Sequence, residues 1–305
     1  MQEAAWPRIA VMGAGAVGCY FGGLLARAGA PVTLIGRRER VEAITRDGLF
    51  LDTLHFQQQI PIAASTDVEA AGDAGIVLFC VKTFDNEAAA KLLAPHVAPG
   101  AVVVSLQNGV DNADRIRAAG VAAIPSVVYV AAAMTAPGRV KHSGRGDLVV
   151  GESGSSIAAV FERAGIRCRV AENIEAELWT KMIMNCAYNA ISALGRSRYG
   201  RLARHPGTRE VMRLVTEEAV AVARAAGVRL PDGDMVQAVW KLAEAMENAL
   251  SSTAQDIARG NRTEIDSLNG YLVQRGAELG VSTPVNQTLH ALLKLLEESS
   301  SFAGL

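Results

Sequence analysis

The sequence shows no excess of either charge: 30 lysines and arginines face 31 aspartates and glutamates, for a formal charge of −1. A chain this close to neutral has no electrostatic case for a polyanion partner. Local arginine-rich pieces such as Gly36-Arg37-Arg38-Glu39-Arg40 are short and interrupted by acids, which speaks against a nucleic-acid-binding stripe. No apolar run is long enough for the roughly 18 to 20 residues a bilayer span needs. The longest, Val121 to Met134, is broken by Pro125 and Ser126, so no membrane partner is expected. Residues 1–8 hold no apolar stretch ahead of a cleavage site, so the sequence predicts no signal peptide and a cytoplasmic location. Cysteine is scarce: Cys19, Cys80, Cys168 and Cys186 lie among apolar neighbours without CxxC spacing and read as buried thiols. His55, His96, His142, His205 and His290 are equally dispersed, and no metal site is expected.

What is present is core material. Half of the residues are hydrophobic and a fifth are charged, the balance of a folded globular protein. At roughly 100 to 200 residues per domain, 305 residues suggest two domains. The first half alternates short β-rich apolar runs with helical stretches: Ile9 to Met12, Val17 to Ala28, Val32 to Ile35. That is a βαβ unit on a parallel sheet. Residues 48–62 read as a hairpin inserted before a strand at 76–81. Further strands are predicted at Val102 to Ser105, Ile124 to Val130, Arg139 to Lys141, Asp147 to Gly151 and Gly165 to Val170. Beyond about residue 171 the period becomes helical over Glu175 to Leu194, Gly207 to Ala226 and Asp234 to Ile257. The reading is therefore α/β: a Rossmann-type doubly wound sheet over residues 1–170, then an all-α domain over 171–305. The tail from Ser299 to Leu305 is expected to fray.

Gly13-Ala14-Gly15-Ala16-Val17-Gly18 is a GxGxxG sequence between a predicted strand and a predicted helix. In that setting the first glycine turns tightly, the second lets backbone N–H groups approach a pyrophosphate, and the third lets helix and strand pack closely. The helix N-terminus adds partial positive charge. An acid at the end of the second strand would bond the ribose 2′-hydroxyl of NAD, whereas an arginine would pair with the 2′-phosphate of NADP. Here Val32 to Ile35 runs into Gly36-Arg37-Arg38, which favours NADP(H), with Glu39 the one feature that speaks for NAD.

In the second half Lys181, Asn185 and Asn189 stand at i, i+4 and i+8, one stripe along a helix whose other residues are largely apolar. Polar side chains in such a setting cost stability unless they are bonded or face a cavity, so the stripe reads as an active-site wall or as a tie between domains. A lysine suits carbonyl reduction: hydride addition develops negative charge on oxygen, which an ammonium stabilises and then protonates. Further on, Leu250 to Ile257 reads as a helix end and Gly260-Asn261 as a break. A new helix is predicted to start at Thr263-Glu264-Ile265-Asp266, with Thr263 as cap and Glu264 in the first turn. By spacing alone Glu264 and Asp266 are as readily capping as catalytic.

The chain resembles the ketopantoate reductases (2-dehydropantoate 2-reductases), NADPH-dependent enzymes of pantothenate synthesis, nearly from end to end. The likeness rests on GxGxxG, Arg37, Cys80-Val81-Lys82, Gln107-Asn108-Gly109, Glu177-Leu178-Trp179-Thr180-Lys181 with Asn185 and Asn189, and Ser251-Ser252 with Gln255-Asp256-Ile257 before Thr263 to Asp266. It implies reduction of a small 2-oxo acid, ketopantoate to pantoate, with Lys181 as general acid and Glu264 positioning it or its water. Asn185, Asn189 and Ser252 would bind the substrate, while Lys82 and Asn108 would face cofactor and substrate from the first domain. Where the best-known members carry a further asparagine, this chain has Tyr199, a bulkier side chain that could alter the pocket. The resemblance puts the site in an interdomain cleft that closes on substrate. β-Hydroxyacid dehydrogenases share a lysine followed four residues on by an asparagine, but not the segment from Ser251 to Glu264. A paralogous reductase of another 2-oxo acid and a non-catalytic NADP-binding sensor are the alternatives. The apolar helices of the second half suit a homodimer interface as well as an intradomain core.

Overall fold

The chain forms two compact units, Met1–Ile174 and Glu175–Leu305. The computed structural model describes residues 5–299, so the serine-led tail beyond Ser299 lies outside the described residues.

The strands of the first unit are β1 (Ile9–Met12), β2 (Val32–Ile35), β3 (Leu49–Asp52), β4 (Gln57–Ile60), β5 (Ala63–Ser65), β6 (Ile76–Phe79), β7 (Val102–Ser105), β8 (Ala123–Ala136), β9 (Arg139–Gly151) and β10 (Cys168–Ala171). Its helices are α1 (Ala16–Arg27), α2 (Arg38–Asp47), α3 (Asn86–Leu93), α4 (Asn112–Ala118) and α5 (Ser155–Arg163). The parallel part of the sheet runs β5-β2-β1-β6-β7-β8, so the strand order reverses between β1 and β6. This is the doubly wound arrangement, and ligands of such sheets bind where the order reverses, beyond the carboxyl ends of the strands.

Both faces of the sheet are covered, which explains the unbroken apolar runs of β1 and β6 and the three valines of β7. On β1, Ile9 and Val11 face one layer with Leu34, Leu78, Val104 and the α1 residues Phe21 and Leu25. Ala10 and Met12 face the other, with Val77, Phe79 and the α3 and α4 residues Leu93 and Ile116. The hairpin expected in residues 48–62 is present as antiparallel β3 and β4. The pieces expected at 124–130, 139–141 and 147–151 are instead two long antiparallel strands, β8 and β9, with register shifts at Tyr129/Val130, Ala131/Ala132 and Met134/Ala136. Local propensity conceals this pairing: the middle of β8 is alanine and the middle of β9 is polar and glycine-bearing, so cross-strand hydrogen bonds hold what side-chain preference does not.

The second unit is helical: α6 (Ile174–Leu194, its first residue the last of the first unit), α7 (Tyr199–Arg204), α8 (Pro206–Ala225), α9 (Met235–Ala245), α10 (Ser252–Ala258), α11 (Asn269–Leu279) and α12 (Pro284–Ser299). Buried Met212, Val215, Ala219 and Val222 give α8 a single apolar stripe at helical spacing, against which α11 and α12 pack. The helix expected over Asp234 to Ile257 breaks in two. The carbonyls of Glu247 and Ala249 accept from the N–H groups of Gly200 and Tyr199 and so leave the helical pattern. Ser251 then opens a new helix, its hydroxyl accepting from Ala254 N at 2.9 Å, so this segment is a helix start and not a helix end. The Thr263 hydroxyl accepts from Ile265 N at 3.3 Å, but the helix start expected at Thr263 is displaced: Glu264, not Thr263, stands at the N-cap of a single 3₁₀ turn, Ile265–Ser267, and the α-helix begins only at Asn269.

Candidate active site

The glycine turn follows β1 at the strand-order reversal. Gly13 has φ +112°, and a Cβ there would lie 2.8 Å from the Cys80 carbonyl carbon and the Val81 nitrogen, so the chain leaving β6 abuts the turn leaving β1. At Gly18 a Cβ would lie 2.2 Å from the Gly13 oxygen and 2.8 Å from Val11 Cγ1, the close helix–strand approach that only glycine permits. Gly15 differs: the sole atom within 4 Å of its added Cβ is an Arg40 guanidinium nitrogen, at 3.9 Å. The backbone there is open on the side from which a ligand would come. Gly15 is also the N-cap of α1 and supplies no side-chain cap, so the first-turn N–H groups of Ala16, Val17 and Gly18 are available to an anion. A dinucleotide pyrophosphate fits this cradle.

Arg37 is the N-cap of α2 at the end of β2. Its side chain is 79% exposed, with Asp85 as an ion-pair partner at 3.7 Å, so the guanidinium is free to reorient toward a phosphate. Arg40, one turn along α2, donates to the Ala14 carbonyl at 3.1 Å and ties α2 to the glycine turn. The sequence places Arg40 only in the short arginine-rich piece; its position three residues after the α2 N-cap is the signal that it points back over the turn. Lys82 follows β6 at the N-cap position of the 3₁₀ turn Thr83–Asp85, while Asn108 follows β7. Both stand beyond carboxyl ends of neighbouring strands.

In the second unit α6 carries Lys181 and Asn185 half-buried and Asn189 buried. The side chains around them on the same helix, Met182, Ile183, Cys186 and Ala187, are in the core. The hydroxyl of Ser251 donates to the Asn189 carbonyl at 3.2 Å, docking the start of α10 beside the polar stripe. Ser252, the first residue of α10, is exposed, whereas its neighbour Ser251 is buried and structural. Glu264 is half-buried and pinned on both sides to α12. On one side Thr263 N donates to Glu297 Oε1 at 2.7 Å. On the other, Asp266 pairs with His290 at 2.8 Å and Lys294 at 3.1 Å. Burial pushes the Asp266 carboxyl up, but the hydrogen bonds from His290 and Lys294 outweigh it and hold the group below its ordinary value. Asn269, at the start of α11, reaches the Cys186 carbonyl on α6 at 3.4 Å and Asn286 on α12 at 2.9 Å, fastening the helix that follows Glu264.

Tyr199 begins α7 and is buried, its ring stacked on Tyr188 of α6. The Tyr199 ring thus belongs to the core of the second unit. The four cysteines are free, and burial pushes the thiols of Cys19 and Cys168 up to about 12 and about 11, which keeps them protonated and inert. Among the described residues no cluster of histidine, cysteine, aspartate and glutamate suits a metal ion, and no helix is long and apolar enough to cross a membrane.

Comparison with known proteins agrees with this geometry. Residues 9–155 match the family described as Ketopantoate reductase PanE/ApbA, and residues 173–297 match Ketopantoate reductase PanE/ApbA C terminal. The chain is 35% identical over 297 residues to the 2-dehydropantoate 2-reductase of Archaeoglobus fulgidus, spanning 95% of this chain and 98% of that protein. A crystal structure of a PanE/ApbA family ketopantoate reductase from Ralstonia eutropha superimposes with a TM-score of 0.91 at 49% identity, covering 96% of this chain and 99% of that one. D-mandelate dehydrogenase, solved with NADH and anilino(oxo)acetate, shares the fold, with a TM-score of 0.89 at 23% identity over 96% of this chain and 99% of its own. With a glycine-turn sheet, a lysine-bearing helix and relatives that match both units, the chain belongs to the ketopantoate reductase family of oxidoreductases.

Proposed function

We propose that the protein reduces ketopantoate to pantoate with NADPH in the cytoplasm, as a step of pantothenate biosynthesis. The observation that carries the chemistry is the stripe of Lys181, Asn185 and Asn189 on α6, polar groups held against the core of the second unit. The cofactor, when bound, supplies the hydride. Gly13 to Gly18 hold its pyrophosphate through backbone N–H groups, and Arg37 pairs with the 2′-phosphate. Lys82 and Asn108 face its reactive end and the substrate. Lys181 donates a proton to the keto oxygen as charge develops there, and Glu264 positions the ammonium or the water that reprotonates it. Asn185, Asn189 and Ser252 bind the hydroxyl and carboxylate of the substrate. This chemistry requires the groups of the two units to meet on substrate binding.

Steady-state turnover of ketopantoate with NADPH and with NADH tests the reading. Efficient turnover that favours NADPH by at least about tenfold is expected from a paired 2′-phosphate. Turnover with NADH alone would overturn the cofactor assignment. A second reading, a reductase of another small 2-oxo acid, is favoured by the presence of the same fold in D-mandelate dehydrogenase, because fold by itself does not choose a substrate. Efficient turnover of a different 2-oxo acid with none of ketopantoate would select it. Binding of NADPH with no turnover of any 2-oxo acid would mark a sensor.

A further inference from the structure

Beyond β6 and β7 the first unit contains a one-way chain of buried amide hydrogen bonds. The Ser105 hydroxyl donates to Gln107 Oε1 at 2.8 Å. The Gln107 Nε2 group donates to the Val81 carbonyl at 2.7 Å and to Asn86 Oδ1. Asn86 Nδ2 donates to Asn112 Oδ1 at 2.8 Å, and Asn112 Nδ2 donates to the Asn108 carbonyl at 2.6 Å. Ser126 on β8 anchors the far end by donating to the Ser105 carbonyl at 2.6 Å. Asn86 is fully buried, and Ser105, Gln107 and Asn112 nearly so.

Every amide in this chain accepts from the side of Ser105 and donates toward Asn108, so none can be turned over without setting two carbonyls or two N–H groups against each other. Buried polar groups of this kind are costly unless fully paired, and fully paired they specify one geometry. The two ends matter most. One donor grips the carbonyl of Val81, the residue before Lys82, and the last grips the carbonyl of Asn108 itself. Asn86 and Asn112 are the first residues of α3 and α4, so the chain also locks two helix starts to two strand ends. The Lys82 segment is thereby held from two directions: by Gln107, and by Gly13 packed against the Cys80–Val81 peptide.

We propose that Gln107, Asn86 and Asn112 are positioning residues which set the spacing of Lys82 and Asn108, and so shape the site for the reactive end of the cofactor but not for its adenosine end. The proposal rests on the dinucleotide reading of the glycine turn. None of the three residues is assigned contact with the ligand; they act through the two backbone segments they hold.

Asn112→Asp is the sharpest variant. It keeps the size of the side chain and the acceptor for Asn86, and a carboxylate in the first turn of α4 favours that helix. In place of the donor it sets a carboxylate oxygen against the Asn108 carbonyl, turning that one contact from attraction to repulsion. Asn112→Leu, of similar volume, removes both bonds. NADPH and adenosine 2′,5′-bisphosphate, which carries only the adenosine end, are titrated against each variant alongside thermal unfolding. The expected result is NADPH affinity lower by about tenfold, with the bisphosphate bound within about twofold of wild type, and kcat lower by about 10- to 100-fold, the scale of a small misplacement at a reacting centre. Wild-type affinity for both ligands in both variants would overturn the proposal, as would equal weakening of both, the mark of general loosening. If the wild-type chain binds neither ligand, the dinucleotide reading itself fails. If it binds both but reduces no 2-oxo acid, the substrate reading fails while the binding comparison still decides this proposal.

Discussion

The ring of Tyr199 lies on the ring of Tyr188, their centroids 4.2 Å apart and their planes 28° from parallel. The Tyr188 hydroxyl in turn donates to the Val239 carbonyl at 2.6 Å, so the stacked pair sits where α6, α7 and α9 meet. Tyr199 therefore serves here as core of the second unit.

Tyr199→Ala is expected to cost about 3 kcal/mol of stability, the low end for deleting a buried aromatic ring. Urea denaturation measures the loss. KM for the 2-oxo acid should stay within about twofold, since the ring packs against Tyr188. A KM change without loss of stability would instead make the ring a pocket wall.

Lys181→Met is expected to leave NADPH affinity within about threefold of wild type and to lower turnover by at least about a hundredfold, the scale of a lost general acid. Fluorescence titration and single-turnover kinetics separate the two effects. Retained turnover would move the proton donor elsewhere.

Gly18→Ala places a methyl group 2.2 Å from the Gly13 oxygen, in backbone that has nowhere to go. The glycine turn must then distort. A loss of about 1 to 3 kcal/mol in stability is expected from the overpacking, together with at least about tenfold weaker NADPH binding. Gly15→Ala, which meets only Arg40 at 3.9 Å, should weaken NADPH without the loss of stability.

Asp266 gives a pH dependence of defined sign. Its folded-state pKa is depressed below 3.8, so its pairing with His290 and Lys294 contributes stability in full above that pH. The contribution is lost as pH falls through the depressed folded value. Asp266→Asn should therefore lower thermal stability at neutral pH, and the gap to wild type should close on acidification below about pH 3.8. A gap that widens toward acid would reverse the assignment. Because the variant also loosens the segment that carries Glu264, its kcat at neutral pH should fall even where the protein is folded.

Much of the fold was legible because its signals are local. Unbroken apolar runs at 9–12, 76–79 and 102–104 announce strands buried on both faces, and the stripe of α8 announces a helix buried on one. The glycine turn was legible for the same reason, since its strand, turn and helix are consecutive in sequence. The errors fell where a distant partner decides. β8 and β9 are long because each pairs with the other through alanine and polar residues, and the helix expected across Asp234 to Ile257 breaks because Gly200 and Tyr199 take the Glu247 and Ala249 carbonyls.

The same division runs through the site. Chain order alone determined the spacing of Lys181, Asn185 and Asn189, since a helix turns three and four residues apart onto one face. Arg37 at the end of β2 was equally local. Only the tertiary structure could show that Arg40 reaches the Ala14 carbonyl, that Ser251 and not Ser252 docks on the Asn189 carbonyl, and that Gln107 joins Val81 to Asn86. These are hydrogen bonds between residues far apart in the chain. Their strength depends on burial and direction, quantities that exist only once the strands are side by side.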